Sequence, residues 1–424
     1  MPQEDLDFYS RDIARQTNLW KAWRVVQANG LSSKSARTRE AIRATSIIVD
    51  GSIRSISNRL SRKKYQFHPA TGVPISRPGK PARPIVSYNI DDRIVQRALL
   101  DRLLSIEALT PLYMNATSFG GLPKRGVRHA WAAVFTAIKN GATHYVRSDI
   151  HDFFTCIPKE RVLAAVSDAL PKQDLYLMDL LDRALQIELE NMAELGQQAD
   201  IFPLHEIGVA QGCCLSPLFG NLLLGDFDKE MNSNGVTCIR YIDDFIILAN
   251  GNKAVRKATD RALSMLTTLG LTAYDPTASS DKAQLGLVRE GINFLGCDFH
   301  PGLLGPAKKT RDRLLTSIKE VLDNSESFMD RPRTSAKFKR GLLDAFSQAD
   351  NILEGWGNQY SFCNNLNIMR RLDTEIDLMI GAYLRKYRAA IFEADRDFVT
   401  RRRLLGLHLL VDSKHEPLGA PSLR

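Results

Sequence analysis

The feature that most constrains the fold of this chain is a pair of adjacent acids inside an otherwise apolar segment, residues 239–249. Asp243 and Asp244 follow an apolar strand pattern and precede the run Phe-Ile-Ile-Leu-Ala. Successive side chains of a strand face opposite sides of a sheet, so both acids can reach one site only where a tight turn interrupts the strand. Because Asp favours such turns, the segment predicts a β-hairpin with both acids at its tip. The dipeptide alone is explained more simply by a polar tip with two solvated acids.

A third acid ends another predicted strand, residues 144–150. Asp149 is followed closely by Phe153 and Phe154, which are too apolar for an ordinary surface turn. Acids at the ends of neighbouring strands can converge on two Mg²⁺ ions about 3.5–4 Å apart, which stabilise the attacking and leaving oxygens of phosphoryl transfer. Carboxylate oxygens are the ligands that Mg²⁺ prefers. Asp149, Asp243 and Asp244 are therefore candidate metal ligands.

Length, charge and cysteine content narrow the class of protein. The chain has 424 residues and a net charge of +9, and usual domain sizes indicate roughly two to three domains. The positive excess is consistent with a polyanionic partner, and solubility alone would also account for it. No apolar run approaches the ~20 residues of a membrane span, and the acidic start is unlike a secretory signal. Six cysteines without a CxxC pair indicate free thiols in a reducing compartment. We expect a cytoplasmic protein with no membrane partner.

Helical and extended patterns alternate along the chain. Helical patterns cover residues 11–62, 127–139, 159–195, 253–269 and most of the chain after 308, and strand patterns lie near 84–86, 144–150, 238–249 and 291–299. Residues 69–84 are rich in Pro and Gly and indicate an irregular connection. Asp91 is expected to cap one helix, and Ser216 to cap another with Pro217 at its first position. Many helices with few strands indicate an α+β fold rather than a doubly wound sheet.

Three motifs, in this order, resemble those of reverse transcriptases. Residues 149–154, Asp-Ile-His-Asp-Phe-Phe, resemble the first palm motif of that family. Residues 209–221 fit its QGxxxSPxxxN pattern, and residues 241–244, Tyr-Ile-Asp-Asp, resemble its YxDD box. The separations between the motifs also agree with the family. The chain is therefore identified as a member of the reverse transcriptases.

The resemblance covers nearly the whole chain. Residues 18–24, 65–69, 83–85 and 92–98 are similar to the fingers of bacterial enzymes related to group II intron reverse transcriptases, and residues 294–296 and 355–360 are similar to their FLG palm motif and GWxNY thumb element. The sequence shows neither the Cys/His cluster of an HNH-type endonuclease nor the retron-type Asn-Ala-x-x-His element. It therefore resembles the stand-alone, defence-associated enzymes of the "unknown group".

This resemblance implies an α+β right-hand polymerase fold in three parts. The expected parts are N-terminal helices and fingers at 1–143, a palm with an antiparallel sheet at 144–305, and an α-helical thumb with a C-terminal extension at 306–424. A fingers-type helical insertion is expected within the palm, over about 159–200.

The resemblance also implies roles for individual residues. Asp149, Asp243 and Asp244 are the expected catalytic residues; they would hold two Mg²⁺ ions, for which Mn²⁺ would substitute, with the Ile150 carbonyl as a further ligand. The expected dNTP-binding residues are Arg83, Lys80, Phe154 and Gln211, the expected general acid is Lys282, and the expected nucleic-acid contacts are Lys308, Lys309, Arg311 and Arg313. Phe154 would fill the space that a ribose 2′-OH needs, so dNTP would be preferred over NTP.

The expected function is that of an RNA-directed DNA polymerase, a nucleotidyltransferase that adds dNTPs to a primer 3′-OH. Its expected partners are an RNA template, the DNA product and dNTPs, and by analogy the template is a dedicated, structured non-coding RNA copied in antiphage defence. Two alternatives stay open: a maturase-like or non-catalytic RNA-binding protein, and template-independent or protein-primed DNA synthesis by the same site. The presence of all three acids favours an enzyme.

Overall fold

The computed structural model describes residues 7–33, 35–77, 79–233, 235–276, 282–329, 341–392 and 398–410. The chain divides into two compact units, Met1–Val288 and Arg289–Arg424. The predicted three-part division at 143/144 and 305/306 stays a prediction. Among the described residues, no helix is both long and apolar enough to cross a membrane.

The first unit begins with four helices and a hairpin. These are α1 (Phe8–Ala14), α2 (Gln16–Leu31), α3 (Ala36–Ser61), β1 (Thr71–Arg77), β2 (Lys80–Ser87) and α4 (Ile90–Leu104). Leu19, Trp23, Ile53 and Leu99 lie in one core between the helices, each almost fully buried. Burial of each such side chain contributes about 1.5–3 kcal/mol, so these amphipathic faces hold the bundle together.

Two local predictions in this region were wrong. The Pro- and Gly-rich segment forms an antiparallel hairpin, with Pro74 opposite Pro84. A two-stranded sheet has two free edges, where a missing N–H is tolerated. Asn89, not Asp91, caps α4, because its side chain accepts a hydrogen bond from the Asp91 N–H at 3.0 Å. Asp91 lies in the first turn of α4 and forms an ion pair with Arg59 at 3.2 Å.

The remainder of the first unit surrounds a four-stranded antiparallel sheet. Its elements are α5 (Thr110–Tyr113), α6 (Val127–Lys139), β3 (His144–Asp149), α7 (Lys159–Ala169), α8 (Leu175–Leu185), α9 (Met192–Leu195), α10 (Ser216–Leu223), α11 (Gly225–Glu230), β4 (Thr237–Tyr241), β5 (Asp244–Ala249), α12 (Asn252–Thr268) and β6 (Gln284–Leu287). The strand order is β4-β5-β3-β6. Phe245, Ile246 and Ile247 of β5 are buried in succession, because α6 and α12 both pack against this strand.

The second unit combines a small sheet with long helices. The strands β7 (Ile292–Phe294), β8 (Cys297–His300) and β9 (Leu303–Pro306) lie in that order and are antiparallel, and the helices are α13 (Lys308–Met329), α14 (Leu342–Tyr360), α15 (Leu366–Phe392) and α16 (Phe398–Leu405). Ile318, Leu372 and Tyr383 lie in the core of the helices. Helices with antiparallel sheets in both units confirm the predicted α+β class.

Candidate active site

The predicted acidic hairpin is formed by β4 and β5. Tyr241 pairs with Asp244 as the last register pair, and Ile242 and Asp243 make the turn. Ile242 has a φ of +61°, which is unusual for a β-branched residue because its Cβ crowds the backbone in the left-handed region. The tight turn interrupts the alternation of the strand, so Asp243 and Asp244 lie side by side at the tip, as predicted.

Strand β3 brings the third acid to the same place. Asp149 pairs directly with Asp244, and the Ile150 N–H donates a hydrogen bond to the Asp243 carbonyl at 3.0 Å. One carboxylate oxygen from each of Asp149, Asp243 and Asp244 lies within 4.8 Å of the others. Asp149 is buried and Asp244 is exposed, so the cluster opens to solvent on one side.

The electrostatics of the cluster suit a bound cation. Burial raises the pKa of Asp243, and the positive charges of Arg83 and Arg240 oppose that rise. Burial and then the charge of Asp243 raise the pKa of Asp244 to about 6, against the opposing charge of Arg147. Carboxylates whose pKa values are raised in this way, as at Asp243 and Asp244, are stabilised by a cation between them. The donor set therefore fits a divalent metal with oxygen ligands.

Lys282, the predicted general acid, lies at this cluster. Its Nζ forms an ion pair with Asp149 Oδ2, with the lysine side chain 41% exposed and the aspartate 9% exposed. The Lys282 Nζ also lies 5.6 Å from the ring centroid of Tyr274, and the backbone N–H of Tyr274 donates to the Asp149 carbonyl at 3.1 Å. The structure therefore places this lysine against a predicted metal ligand, and its role in proton transfer stays a prediction.

Arg240 is a buried residue that stabilises the turn, and the sequence motifs did not predict this role. Its side chain is fully buried and pairs with Asp228, where Nε lies 2.7 Å from Oδ1. One guanidinium nitrogen donates to the Ile242 carbonyl at 2.9 Å, and another donates to Ser118 Oγ at 2.8 Å and Asn221 Oδ1 at 2.9 Å. The sequence signal was available, because a charged residue inside an otherwise apolar strand needs buried partners.

The Ser118–Gly120 segment packs against strand β4 and the turn of the hairpin. The Arg240 N–H donates to the Thr117 carbonyl, and the Phe119 N–H donates to the Arg240 carbonyl, both at 2.9 Å. A Cβ on Gly120 would lie 2.6 Å from the Ile242 nitrogen, so only glycine allows this approach. Asn221, the last residue of the QGxxxSPxxxN pattern, donates to the Gly120 carbonyl at 3.0 Å. That asparagine therefore links α10 to the acidic turn.

Three of the predicted nucleotide-binding residues are connected through backbone hydrogen bonds. Arg83 lies exposed on β2, and the Val86 N–H of that strand donates to the Gln211 carbonyl at 2.8 Å. The Val209 N–H of the same loop donates to the Phe154 carbonyl at 2.7 Å. Lys80 begins β2, and its side chain lies outside the described part of the structure. Arg83, Gln211 and Phe154 are thus held on adjoining segments, and their contacts with a nucleotide stay predictions.

Ser216 does not cap α10 as predicted. The helix begins at Ser216 itself, Pro217 lies in its first turn and Leu215 precedes it. The Ser216 hydroxyl donates to the Ala210 carbonyl at 2.7 Å, which fixes the loop that carries Gln211. The local sequence pattern favoured a capping role for Ser216, and its hydroxyl instead binds the carbonyl of a residue six positions earlier.

The predicted nucleic-acid contacts lie on α13 in the second unit. Lys308, Lys309 and Arg313 are exposed, and Arg311 is half-buried. Lys308 pairs with Asp312 at 2.8 Å on the helix surface. The structure therefore places three of these four cations where solvent reaches them, and their contact with nucleic acid stays a prediction.

Comparison with known proteins gives a family and two curated relatives. The family described as Reverse transcriptase (RNA-dependent DNA polymerase) matches residues 75–299, more than half of the chain. Protein YkfC of Escherichia coli (strain K12) is 25% identical over 273 residues, which cover 55% of this chain and 67% of YkfC. The "Uncharacterized 91 kDa protein in cob intron" of Schizosaccharomyces pombe is 27% identical over 177 residues, which cover 42% of this chain and 20% of that protein.

Two solved structures are similar to parts of the chain. A partial Cas6-RT-Cas1–Cas2 complex matches with 19% identity and a TM-score of 0.34, over 60% of this chain and 41% of that chain. Apo telomerase from Candida tropicalis, truncated from its C-terminal domain, matches with 12% identity and a TM-score of 0.42, over 57% of this chain and 55% of that chain. This chain thus spans about half the length of each matched structure. The family match over more than half of the sequence confirms the family, the fold class and the enzyme class that the motifs predicted. The chain belongs to the reverse transcriptase family of RNA-dependent DNA polymerases.

Proposed function

We propose that this chain copies RNA into DNA by adding dNTPs to a primer 3′-OH, with two Mg²⁺ ions at the acidic cluster and Mn²⁺ as a substitute. The observation that carries the proposal is the convergence of Asp149, Asp243 and Asp244, whose carboxylate oxygens lie within 4.8 Å of one another. When bound, two such ions stabilise the attacking and leaving oxygens of the transfer.

The chain's own residues bind and orient the reactants. Asp149, Asp243 and Asp244 would hold the metal ions, with the Ile150 carbonyl as a further ligand. Arg83 binds the triphosphate, since a guanidinium forms paired hydrogen bonds with phosphate oxygens, and Lys80 assists it. The position of Arg83 near the acidic cluster is supported by the lowering effect of its positive charge on the pKa of Asp243.

Two residues orient the nucleotide, and a third donates a proton. Gln211 lies over the nucleotide, and Phe154 lies beneath its sugar and excludes a 2′-OH. Lys282 donates a proton to the departing pyrophosphate. Its ion pair with Asp149 supports this role, because the ammonium group lies beside a proposed metal ligand.

The nucleic-acid duplex lies along α13, where Lys308, Lys309, Arg311 and Arg313 contact its phosphates. Phosphate contacts of this kind supply most of the sequence-independent affinity of such proteins. The proposal extends to the biological role: a cytoplasmic enzyme that copies a dedicated non-coding RNA in antiphage defence, supported by the likeness of its motifs to the defence-associated group. Unchanged plaque counts across a broad phage panel, with the native locus expressed, would contradict the defence role.

Primer extension on an RNA template tests the polymerase. The wild type is expected to incorporate dNTPs with Mg²⁺, and the double variant Asp243→Ala, Asp244→Ala is expected to lose incorporation. The matched control is Asp226→Ala, since that acid is 93% exposed on α11 and lies outside the cluster. Activity that survives in the double variant would contradict the metal assignment.

The same assay separates the alternatives. Incorporation without an RNA template, or onto a protein primer, would identify template-independent or protein-primed synthesis by the same site. RNA binding without incorporation in any template context would identify a maturase-like or purely RNA-binding protein. The intact acid cluster favours polymerisation over this last alternative, because RNA binding alone does not require three converging carboxylates.

A further inference from the structure

A small cavity lies beside the loop that follows Gln211. Helices α2 and α4 and residues 212–214 line it, and its volume is about 250 Å³. The polar residues that line it include Asn29, Arg93, Gln96 and Arg97, and Cys214 is a further lining residue. None of the described lining residues is acidic. The lining of the cavity is therefore rich in hydrogen-bond donors and contains no carboxylate among the described residues, although Arg97 also pairs with Asp101 outside the lining.

Gln96 is the clearest sign that something binds here. Its side chain is 1% exposed, and its Nε2 has no hydrogen-bond partner among the described residues. A buried amide without a partner costs about 1–3 kcal/mol, and native proteins contain few such groups. The Arg97 Nε is also buried without a partner in the described chain, although the same guanidinium binds Asp101 at 2.7 Å.

Arg93 adds a positive charge that forms no ion pair with a carboxylate of the described residues and has the Cys214 thiol as its electrostatic neighbour. Burial lowers its pKa, and no described carboxylate lies within ion-pair distance of it. Its guanidinium lies one helical turn before Arg97, so both side chains reach the same face of α4. A half-buried guanidinium is stabilised when an anion replaces the water that it has lost.

We propose that this cavity binds a phosphate ester, through the guanidinium of Arg93 and the donors of Gln96 and Arg97. A planar guanidinium matches phosphate oxygens in paired hydrogen bonds, and a buried amide N–H completes the shell. The volume of about 250 Å³ holds about eight water-sized groups, so a phosphate with its sugar fits. The phosphate belongs either to a nucleic-acid strand or to a free nucleotide, and both sources supply the same group.

The site goes beyond the proposed polymerase reaction and does not require it. It uses none of the three acids, and its test needs neither metal nor primer. The backbone connects the two, because residues 212–214 follow Gln211 directly and the Gln211 carbonyl is fixed by Val86 at 2.8 Å. A ligand in the cavity would therefore hold this loop in place.

Alkylation of Cys214 reports on the cavity, since this half-buried residue lines it. The full chain is treated with iodoacetamide in EDTA, alone, with a short RNA or with AMP, and the modified peptides are quantified by mass spectrometry. Half-buried Cys156 serves as the internal reference. A bound ligand at ten times its Kd should slow Cys214 alkylation about tenfold, and Cys156 should not respond. Protection by RNA alone identifies a strand phosphate, and protection by AMP identifies a free nucleotide.

Two variants test the assignment. Arg93→Gln is expected to weaken protection about ten- to a hundredfold, and Gln96→Leu is expected to weaken it while keeping the fold, because it removes a buried group that has no partner. The control Arg54→Gln removes the same charge from an exposed position on α3 and should leave protection unchanged. Absence of protection by either ligand overturns the proposal, as does protection that persists in both cavity variants. Because no dNTP is incorporated in this test, a failed polymerase assay leaves its result unaffected.

Discussion

Replacing Arg240 with Met should destabilise the first unit strongly. The side chains of Arg240 and Asp228 are 0% and 1% exposed, so the substitution leaves a buried carboxylate without its cation. Breaking one partner of such a pair costs about 3–5 kcal/mol, against a total stability of about 5–15 kcal/mol for a typical domain. The Ile242 carbonyl at the acidic turn loses its donor at the same time. We expect a loss of stability near the upper end of this range.

Urea unfolding followed by tryptophan fluorescence measures the effect, because three of the four tryptophans lie in the first unit. The double variant Asp228→Asn, Arg240→Met no longer contains an unpaired charge. It should therefore be more stable than the sum of the single effects predicts, by about 0.5–3 kcal/mol. Arg256→Met, at an exposed position of α12, serves as the control and should change stability by less than about 0.5 kcal/mol. A cost below about 1 kcal/mol for Arg240→Met, or strictly additive effects in the double variant, would refute the reasoning.

Three further predictions concern the same unit. Gly120→Ala should displace the acidic turn and reduce primer extension, because the new Cβ would lie 2.6 Å from a backbone nitrogen. The control Gly51→Ala, with open space around it on α3, should keep its activity and stabilise the chain by up to about 1 kcal/mol. Equal activity of the two variants would contradict this prediction. Folding favours protonated Asp244, whose pKa rises to about 6, so the contribution of this group to metal-free stability is fully present below pH 4 and is lost, by about 1 kcal/mol, as the pH rises to 6, a value reduced for the exposure of this residue. Thermal unfolding should show a smaller pH dependence of this sign in Asp244→Asn than in the wild type, with a remainder from Asp243, whose pKa is also raised, and the Mn²⁺-induced rise in Tm should be larger at pH 8 than at pH 5.5. Phe154→Ala should allow incorporation of NTPs, measured as the ratio of rNTP to dNTP incorporation, and an unchanged ratio would contradict the proposed position of the ring.

The sequence was sufficient for the parts of the site that depend on local patterns. Strand β3, the β4–β5 hairpin and the position of each acid at the end of a strand follow from apolar runs that end in acids. A two-residue turn between apolar strands has few solutions, so its tip could be predicted. The pairing of β3 with β5 in register is specified by no single segment, and the family resemblance predicted only an antiparallel sheet.

The remainder of the site depends on contacts between distant segments. Arg240 has its partners at Ser118, Asn221 and Asp228, which come from a loop and two helices. No periodicity connects these positions, and only a folded chain shows that one guanidinium serves all of them. The β1–β2 hairpin was missed for a different reason, because Pro and Gly weigh against a strand until the sheet is known to have only two strands.

The peptide hydrogen bond from Ile150 to Asp243 has a practical consequence. This bond and the Arg240 bond to Ile242 both end on backbone carbonyls, so neither is lost when the acids are replaced by amides. The Asp243 carboxylate also accepts backbone hydrogen bonds from residues 243 and 244, and an amide oxygen at the same position can accept them. Amide replacements of the acids should therefore yield a stable, inactive protein that still engages its substrates. Such a protein would bind its template without copying it. When it is expressed from its native locus and crosslinked in living cells, the bound RNA could be recovered and sequenced.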